Sequence, residues 1–428
     1  MTPSDASRLD QEDELAMFRA RFVIDDPDLI YLDGNSLGRM PLAAKKILSD
    51  RGDEWGAKLV GGWHEWIHVP TRLGAKIAHI IGVDEDEVIV TDSTSVDLFK
   101  LIMAALDFQK GRRQIVTDDL NFPSDLYVMQ GCARLSSPTC GGGADEGGGG
   151  GVCVEMIKSK DQIHPDIEGI KNALSKNTAL TAITHVAFKS GYMHDMRDVT
   201  DAAHNVGALA LWDLCHSVGA VPLNLKEAGA DLAVGCTYKY LNGGPGAPAF
   251  LYVRRDLQEK LVSPIWGWFG ERKPFDFRLE YEPSKNINRF FAGTPPILSM
   301  AAVEPGVDLI LEAGMDRLRR KSLAQTKFLI SLYDEHLAPL GVQLKTPRNA
   351  DQRGSHVSFG HPEGLKIDLA LIEEEKVIPD FRAPDNIRFG CCPLYTTFAE
   401  LYEGVTRMAK VIKTKSYEKF DVARVSVT

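Results

Sequence analysis

Two charged residues of opposite sign, Asp213 and Lys239, each close an apolar run. Ala208-Leu209-Ala210-Leu211-Trp212 leads into Asp213, and Gly235-Cys236-Thr237-Tyr238 leads into Lys239, which is followed by a glycine-rich turn through Gly246. Read as strands, the two runs place a carboxylate and an amine at the C-terminal edge of a sheet, where open α/β sheets bind ligands. A carboxylate there can keep a pyridine nitrogen protonated and make the ring an electron sink. A lysine amine can anchor an aldehyde as an imine. Together they specify the chemistry of pyridoxal 5'-phosphate. The bland alternative is a salt bridge at the sheet edge, and the glycines that let backbone pass close to a ligand argue against it. A phosphate site should accompany the pair. The hydroxyl-rich loop Thr91–Ser95 follows the strand Val88-Ile89-Val90 and opens a helix at Val96, so free N–H groups and the hydroxyls of Thr94 and Ser95 form an anion site.

The elements that must position these groups alternate in kind. Apolar runs at Val88–Val90, Ile115–Val116, Leu180–Thr184, Ala208–Trp212, Asp231–Val234 and Ala249–Val253 read as strands, with helical stretches such as Val96–Leu106 and Val199–Val206 between some of them. That alternation predicts an α/β fold with a mostly parallel sheet wrapped by helices. Helices are also expected from about Leu42 to Leu59 and from Pro70 to Gly82. Past Pro295-Pro296 one long helical stretch, Met300 to Leu337, leads to shorter strand signals near Val357 and Ile387, which suggests a smaller α+β domain. The division expected is an N-terminal arm at 1–40, a large domain at 41–296 and a small C-terminal domain at 297–428. The glycine-rich segment 140–152 lacks the lysine and hydroxyl of a P-loop and reads as a flexible surface insertion.

Five blocks carry a family resemblance: Leu120-Asn121-Phe122-Pro123-Ser124-Asp125, Trp212 to Ser217, Thr237 to Gly246, Gly267-Trp268-Phe269-Gly270 and Gly293-Thr294-Pro295-Pro296-Ile297. In this order they resemble the motif series of the kynureninase family, in the class V branch of fold-type I pyridoxal-phosphate enzymes. The resemblance runs from Tyr31 to about Tyr395 and implies hydrolysis of L-kynurenine to anthranilate and L-alanine. It implies that Phe122 stacks on the pyridine ring with Pro123 and Ser124 beside it, and that Asp125 contacts the ring next to Asp213. Thr184 and His216 would touch the cofactor, and Tyr238 would hydrogen-bond its phosphate. Trp268 and Thr294 would reach the phosphate from the partner subunit, making the site a property of a homodimer. Arg388 would clamp the substrate carboxylate with its bidentate fork. Lys239 would move the α-proton, and Tyr238 is a reasonable proton donor for carbon–carbon cleavage. Around the substrate's aromatic ring the matching positions are Trp66, Ser36 and Thr294. A tryptophan face suits an unsubstituted ring, and Ser36 offers one hydroxyl to a 3-hydroxylated one. Asp97 stands where the pattern has asparagine.

Other readings compete. His64-Glu65-Trp66-Ile67-His68 spells H-E-x-x-H, with Glu87 downstream as a third candidate zinc ligand, but Gly61-Gly62 and Pro70 leave room for barely one helical turn. No metal is expected. A cysteine desulfurase needs a mobile cysteine before the carboxylate arginine, whereas Cys391 and Cys392 follow Arg388 and no cysteine lies between Cys236 and them. An aminotransferase differs by keto-acid exchange. A catalytically dead binding module would have no need of both Lys239 and Asp213. Across 428 residues the net charge is −10, which argues against a broad nucleic-acid face. Seven cysteines scattered over the chain read as reduced thiols, and the polar, acidic start from Met1 to Glu14 is unlike a secretory signal. With no apolar stretch of membrane-spanning length, the expectation is a cytoplasmic enzyme acting on a small amino-acid substrate.

Overall fold

The computed structural model describes residues 1–136 and 151–421. The glycine-rich segment 140–152 therefore lies, but for its last two residues, outside the described residues. A short strand β1 (Ile30–Tyr31) in the N-terminal arm precedes a seven-stranded sheet made of β2 (Val88–Thr91), β3 (Gln114–Asp118), β4 (Cys153–Ile157), β5 (Thr178–Thr184), β6 (Leu209–Asp213), β7 (Leu232–Gly235) and β8 (Ala249–Val253). Their spatial order is β2-β8-β7-β6-β5-β3-β4. All neighbours pair in parallel except β8, which is antiparallel to both β2 and β7. Strands covered on both faces read as near-continuous apolar runs, and every residue of β2, β3, β5, β6, β7 and β8 is buried, the polar ones falling mainly at strand ends and as threonines. The edge strand β4 is half-exposed. Its Cys-Val-Glu-Met-Ile sequence gives no apolar run, which is why the sequence reading passed over it.

Later strands β9 (Gln343–Leu344), β10 (His356–Gly360), β11 (Val377–Ile378), β12 (Asp380–Arg382) and β13 (Asn386–Gly390) build the second unit. Four of them form an antiparallel sheet in the order β12-β13-β10-β9, while β11 pairs in parallel with β1. Helices Met315–Leu332, Gly364–Glu375 and Phe398–Thr414 cover this sheet, and Phe328, Leu371, Leu401 and Val405 share a core with Val357 and Phe389. Ala6, Ile30 and Leu32 join the same core. Leu15, Phe18 and Phe22 join the core of the large sheet domain instead, so the arm is shared between the two cores.

The expected single helical stretch from Met300 to Leu337 is two helices, Ile297–Ala313 and Met315–Leu332. Gly314, at φ +77°, breaks them, a backbone conformation that glycine adopts without cost. The first of these helices sends Met300, Val303 and Val307 into the core that holds Leu73, Ile77 and Val90. It packs with the large sheet domain, as do Leu318, Leu394 and Tyr395 further along the chain.

Candidate active site

β5, β6 and β7 end side by side, with Thr184 opposite Asp213 and Asp213 opposite Val234. The chain beyond β7 carries Lys239 over the same edge. Gly38 in the arm makes this approach possible: its N–H donates to Tyr238 O at 2.8 Å, and a Cβ built on it would lie 2.3 Å from Lys239 O. The result is a cavity of about 330 Å³ lined by Thr94, Ser95, Phe122, Ser124, Asp125, Asp213, His216, Tyr238 and Lys239, and on the opposite wall by Ser36 and Arg388. All eleven are positions that the sequence reading expected in the site, and they line one cavity.

The floor of the cavity is a pair of carboxyl groups. Asp213 Oδ1 accepts the N–H of Cys215 at 2.8 Å, and Oδ2 accepts the Thr184 hydroxyl at 3.3 Å. Asp125, the third residue of helix Pro123–Leu135, is 4% exposed and hydrogen-bonds to Asp213. Burial, followed by the adjacent negative charge of Asp213, pushes the Asp125 carboxyl well above the usual carboxylate range. Two buried carboxyls this close cannot both ionise, so the pair holds one proton and one negative charge.

Lys239 Nζ lies 3.0 Å from His216 Nε2 and 5.9 Å from the centroid of Phe122. Burial, then the Lys239 charge, lowers His216 well below its ordinary value, leaving a neutral imidazole. Its Nδ1 is buried without a hydrogen-bond partner among the described residues. The Phe122 ring is 41% exposed, and Pro123 starts the helix behind it. At the other end Ser93 caps helix Thr94–Phe108, leaving Thr94 and Ser95 in its first turn with their hydroxyls near Cys215 (3.8 Å) and Ser124 (2.9 Å). A carboxylate below, an amine and an unsatisfied imidazole at the side, an aromatic face, and a hydroxylated helix N-terminus fit a planar pyridine with an aldehyde and a phosphate tail. Pyridoxal 5'-phosphate would be held by these groups.

Asp97 sits in the same first turn, fully buried, with its carboxyl pushed up to about 8 by burial. Lys100, also buried, reaches Asp97 at 3.1 Å, Asp92, and Phe290 O at 2.8 Å. The departure from asparagine is accommodated by this lysine and leaves the cavity wall intact.

The substrate wall comes from the second unit. In the β12–β13 pair Asp380 stands opposite Arg388, and the carboxylate takes Arg388 Nε at 2.7 Å and Nη2 at 2.5 Å. Arg388 Nη1 donates to Phe188 O, and Nη2 also reaches Ser36 Oγ at 3.0 Å. Burial opposes ionisation of Asp380, but Arg388 and then Arg382 outweigh it and hold the carboxyl below its ordinary value. Arg382 itself reaches Ser36 Oγ at 3.2 Å and lines the cavity. Asn35, fully buried with both side-chain polar atoms unpaired, lines it too. The sequence reading missed Asp380, Arg382 and Asn35. Asn35 immediately precedes the expected Ser36, and the other two needed the antiparallel register of β12 with β13.

Three expected residues lie elsewhere in the single chain. Trp268 Nε1 donates to Thr294 Oγ1 at 3.3 Å on an aromatic surface with Phe275 and Phe277, away from the Lys239 cavity. Trp66 is 7% exposed and packs edge-on to Trp63 at 5.7 Å, facing a hollow formed with Pro295–Ser299. His64 and His68 bracket a one-turn helix, Trp63–Trp66, and the described residues contain no group of three His, Cys, Asp or Glu placed to hold a metal.

This architecture is similar to solved structures of a cysteine desulfurase from Thermococcus onnurineus NA1 (TM-score 0.74, 21% identity, 90% of this chain and 95% of that one). It is equally similar to C-DES with glycine covalently linked to the PLP cofactor (TM-score 0.74, 18% identity, 90% and 97%). The fold is that of the fold-type I pyridoxal-phosphate enzymes, and the described residues include no helix long and apolar enough to cross a membrane. Residues 318–408 match the kynureninase C-terminal domain model. Kynureninase of Pseudomonas fluorescens is 43% identical over 97% of both chains, and that of Burkholderia mallei (strain SAVP1) is 41% identical over 100% of both. The chain belongs to the kynureninase family.

Proposed function

We propose that this protein is a pyridoxal-phosphate-dependent hydrolase that cleaves L-kynurenine to anthranilate and L-alanine. One observation carries the reading beyond family membership. Lys239, the Asp213–Asp125 pair and Arg388 face one cavity from three sides, which is what an α-amino acid with a cleavable side-chain ketone requires. Mixing the cofactor-loaded protein with kynurenine should release fluorescent anthranilate, and a loaded protein that releases none would refute the assignment.

When bound, the cofactor supplies an electron sink for negative charge developing on the substrate's carbons. Asp213, with Thr184 and the Cys215 N–H fixing its oxygens, holds the charge that keeps the pyridine nitrogen protonated. Lys239 would hold the aldehyde, and its amine would serve as the base beside the α-carbon. Its neighbour His216 is a neutral acceptor 3.0 Å away, able to orient that amine. The negative character of Cys236, followed by burial, raises Tyr238, so its phenol stays protonated and can donate when the bond to the ketone carbon breaks. Buried carboxylate–arginine geometry presets the clamp: Asp380 holds Nε and Nη2 of Arg388 and Phe188 O takes Nη1, which fixes the guanidinium at the cavity wall, and a substrate carboxylate would take over the contact that Nη2 makes with Ser36 Oγ. Arg388→Lys keeps the charge but loses the fork, and KM for kynurenine should rise about tenfold or more, equivalent to about 1.4 kcal/mol. Steady-state kinetics with an unchanged KM would move the clamp elsewhere.

A desulfurase reading draws support from the structural neighbours, but the cysteines oppose it. Cys391 and Cys392 are buried, and burial pushes the Cys392 thiol up to about 12. Neither sits on an exposed loop able to swing into the cavity.

The functional unit is proposed to be a homodimer. Trp268, Phe275 and Phe277 are 41%, 58% and 72% exposed in the single chain, an apolar patch of a kind that marks an interface. Trp268 and Thr294 on that face would complete the phosphate site of a second copy, and Trp66, beside the segment that follows Thr294, its aromatic wall. Ser36 Oγ already donates to Asp380 at 2.5 Å and accepts from Arg388, so it is no ready partner for a ring hydroxyl. An unpaired buried hydroxyl costs about 1–3 kcal/mol. Kynurenine should therefore be preferred over 3-hydroxykynurenine by about tenfold or more in kcat/KM. Trp66→His with Thr294→Asn should shift the ratio towards the hydroxylated substrate. Equal or reversed preference in the parent protein would defeat the assignment.

A further inference from the structure

Beneath the cofactor cavity two thiols meet. The parallel pairing of β6 with β7 sets Asp213 opposite Val234, and continuing that register sets Cys215 opposite Cys236. Cys236 N–H lies 3.2 Å from Cys215 Sγ, and Cys236 Sγ lies 3.7 Å from Cys215 O. Facing residues of adjacent strands have the Cα separation a disulfide spans, so no large backbone movement is needed. Cys215 also lines the cavity and lies 3.8 Å from the Thr94 hydroxyl, which gives a small oxidant a route to its sulfur.

We propose that Cys215 and Cys236 form an oxidisable dithiol, a modification site for hydroperoxides that closes as a disulfide across the strand ends carrying Asp213 and Lys239. The steps balance. Cys215 sulfur attacks the peroxide; the S–O bond forms, the O–O bond breaks, and the leaving oxygen takes the thiol proton as alcohol or water. Cys236 sulfur then displaces the hydroxyl from Cys215; the S–S bond forms, the S–O bond breaks, and water departs with the Cys236 proton. Two thiols lose two electrons and the peroxide gains them. Burial opposes ionisation of Cys236, but the Cys215 S–H and the Lys239 charge outweigh it and hold Cys236 below the usual thiol range, which favours the second step; the Cys236 contact and then burial hold Cys215 well above that range, so attack on the peroxide is the slower step.

The consequence follows from what Cys215 holds. Its N–H is the 2.8 Å donor to Asp213 Oδ1, and Cys236 lies three residues before Lys239. Drawing the sulfurs to bonding distance pulls on both segments, so the disulfide should misplace the carboxylate and lower turnover. That last effect rests on the function proposed above, whereas formation of the disulfide does not.

The test is to treat the holoenzyme with hydrogen peroxide, digest it without reduction, and map the peptides by mass. A linked pair of peptides containing Cys215 and Cys236, two mass units lighter than the sum of the separate thiol peptides, is expected, and it should separate on dithiothreitol. Activity should fall at least fivefold in step with the linked peptide and return on reduction. Cys236→Ala should keep its own starting activity through the same treatment. Oxidation confined to the exposed Cys153 or to the adjacent Cys391 and Cys392, with Cys215 and Cys236 still alkylatable, would overturn the proposal, as would a linked pair whose formation leaves turnover unchanged.

Discussion

Lys239→Ala should leave a folded protein whose kcat for kynurenine has fallen at least about 10³-fold, the scale of losing a positioned acid–base group. The argument is geometric. Within the cavity wall Lys239 Nζ is the amine that lies between Phe122, Tyr238 and His216, at 5.9, 5.9 and 3.0 Å. It is proposed to serve twice, first as the attachment point for the cofactor aldehyde and then as the base at the α-carbon. His216 cannot replace it in the first task, because an imidazole does not hold an aldehyde as a primary amine does. The neighbouring Lys189 is tied to a different loop, with its ammonium over the Phe188 ring at 5.8 Å. Borohydride treatment of the parent protein should fix the cofactor on the Lys239 peptide. In the alanine variant the cofactor should wash out on dialysis and no peptide should be labelled. Labelling of another lysine, or turnover within about tenfold of the parent, would be incompatible with both tasks.

How much of this was legible before the structure depends on whether a position is fixed by its own segment. Asp213 and Lys239 could be read because each ends an apolar strand, and a parallel strand buried on both faces announces itself as an unbroken apolar run. Thr94 and Ser95 could be read because a hydroxyl cluster before a helix has a local meaning. Asp380 could not. It matters only through its pairing with Arg388, and an antiparallel register over three residues leaves no periodic trace. The arm escaped for a related reason: Ile30 and Leu32 bury their side chains against Val377 and Phe389, a contact set by closure of the whole chain. Gly314 was legible in principle, since a glycine within a helical pattern is a known place for a break. Helix-forming residues on both sides of it, Leu309 to Ala313 and Met315 to Lys321, let the stretch read as continuous. Trp66, Trp268 and Thr294 have no geometric relation to the Lys239 cavity within one chain, so only their resemblance to family motifs speaks for them.

The two buried carboxyls should respond very differently to the same substitution. Asp213→Asn is expected to lower kcat/KM by on the order of 100- to 1000-fold, the range for removing a preorganised charge from a buried site. Asp125→Asn should cost about tenfold or less, since an amide replaces a carboxyl that is already neutral. The difference rests on where the single negative charge of the pair resides. Asp213 accepts two donors from its own segment and the next strand, the Cys215 N–H and the Thr184 hydroxyl, and hydrogen bonds to a carboxylate favour its charged form. Asp125 has burial and the Asp213 charge acting against its ionisation, with Lys239 as a weaker opposing influence. The proton therefore sits on Asp125, and Asp213 is left as the anion that a pyridine nitrogen needs beside it. Asn at 213 keeps the shape and the acceptor oxygen but loses the charge, so the ring nitrogen would lose its proton and the ring its capacity to withdraw electrons. Cofactor absorbance should show both variants still loaded, which separates a binding defect from a chemical one. Side-by-side kinetics then decides: if Asp125→Asn proves the more damaging variant, the charge lies on Asp125 and the roles of the two residues are exchanged.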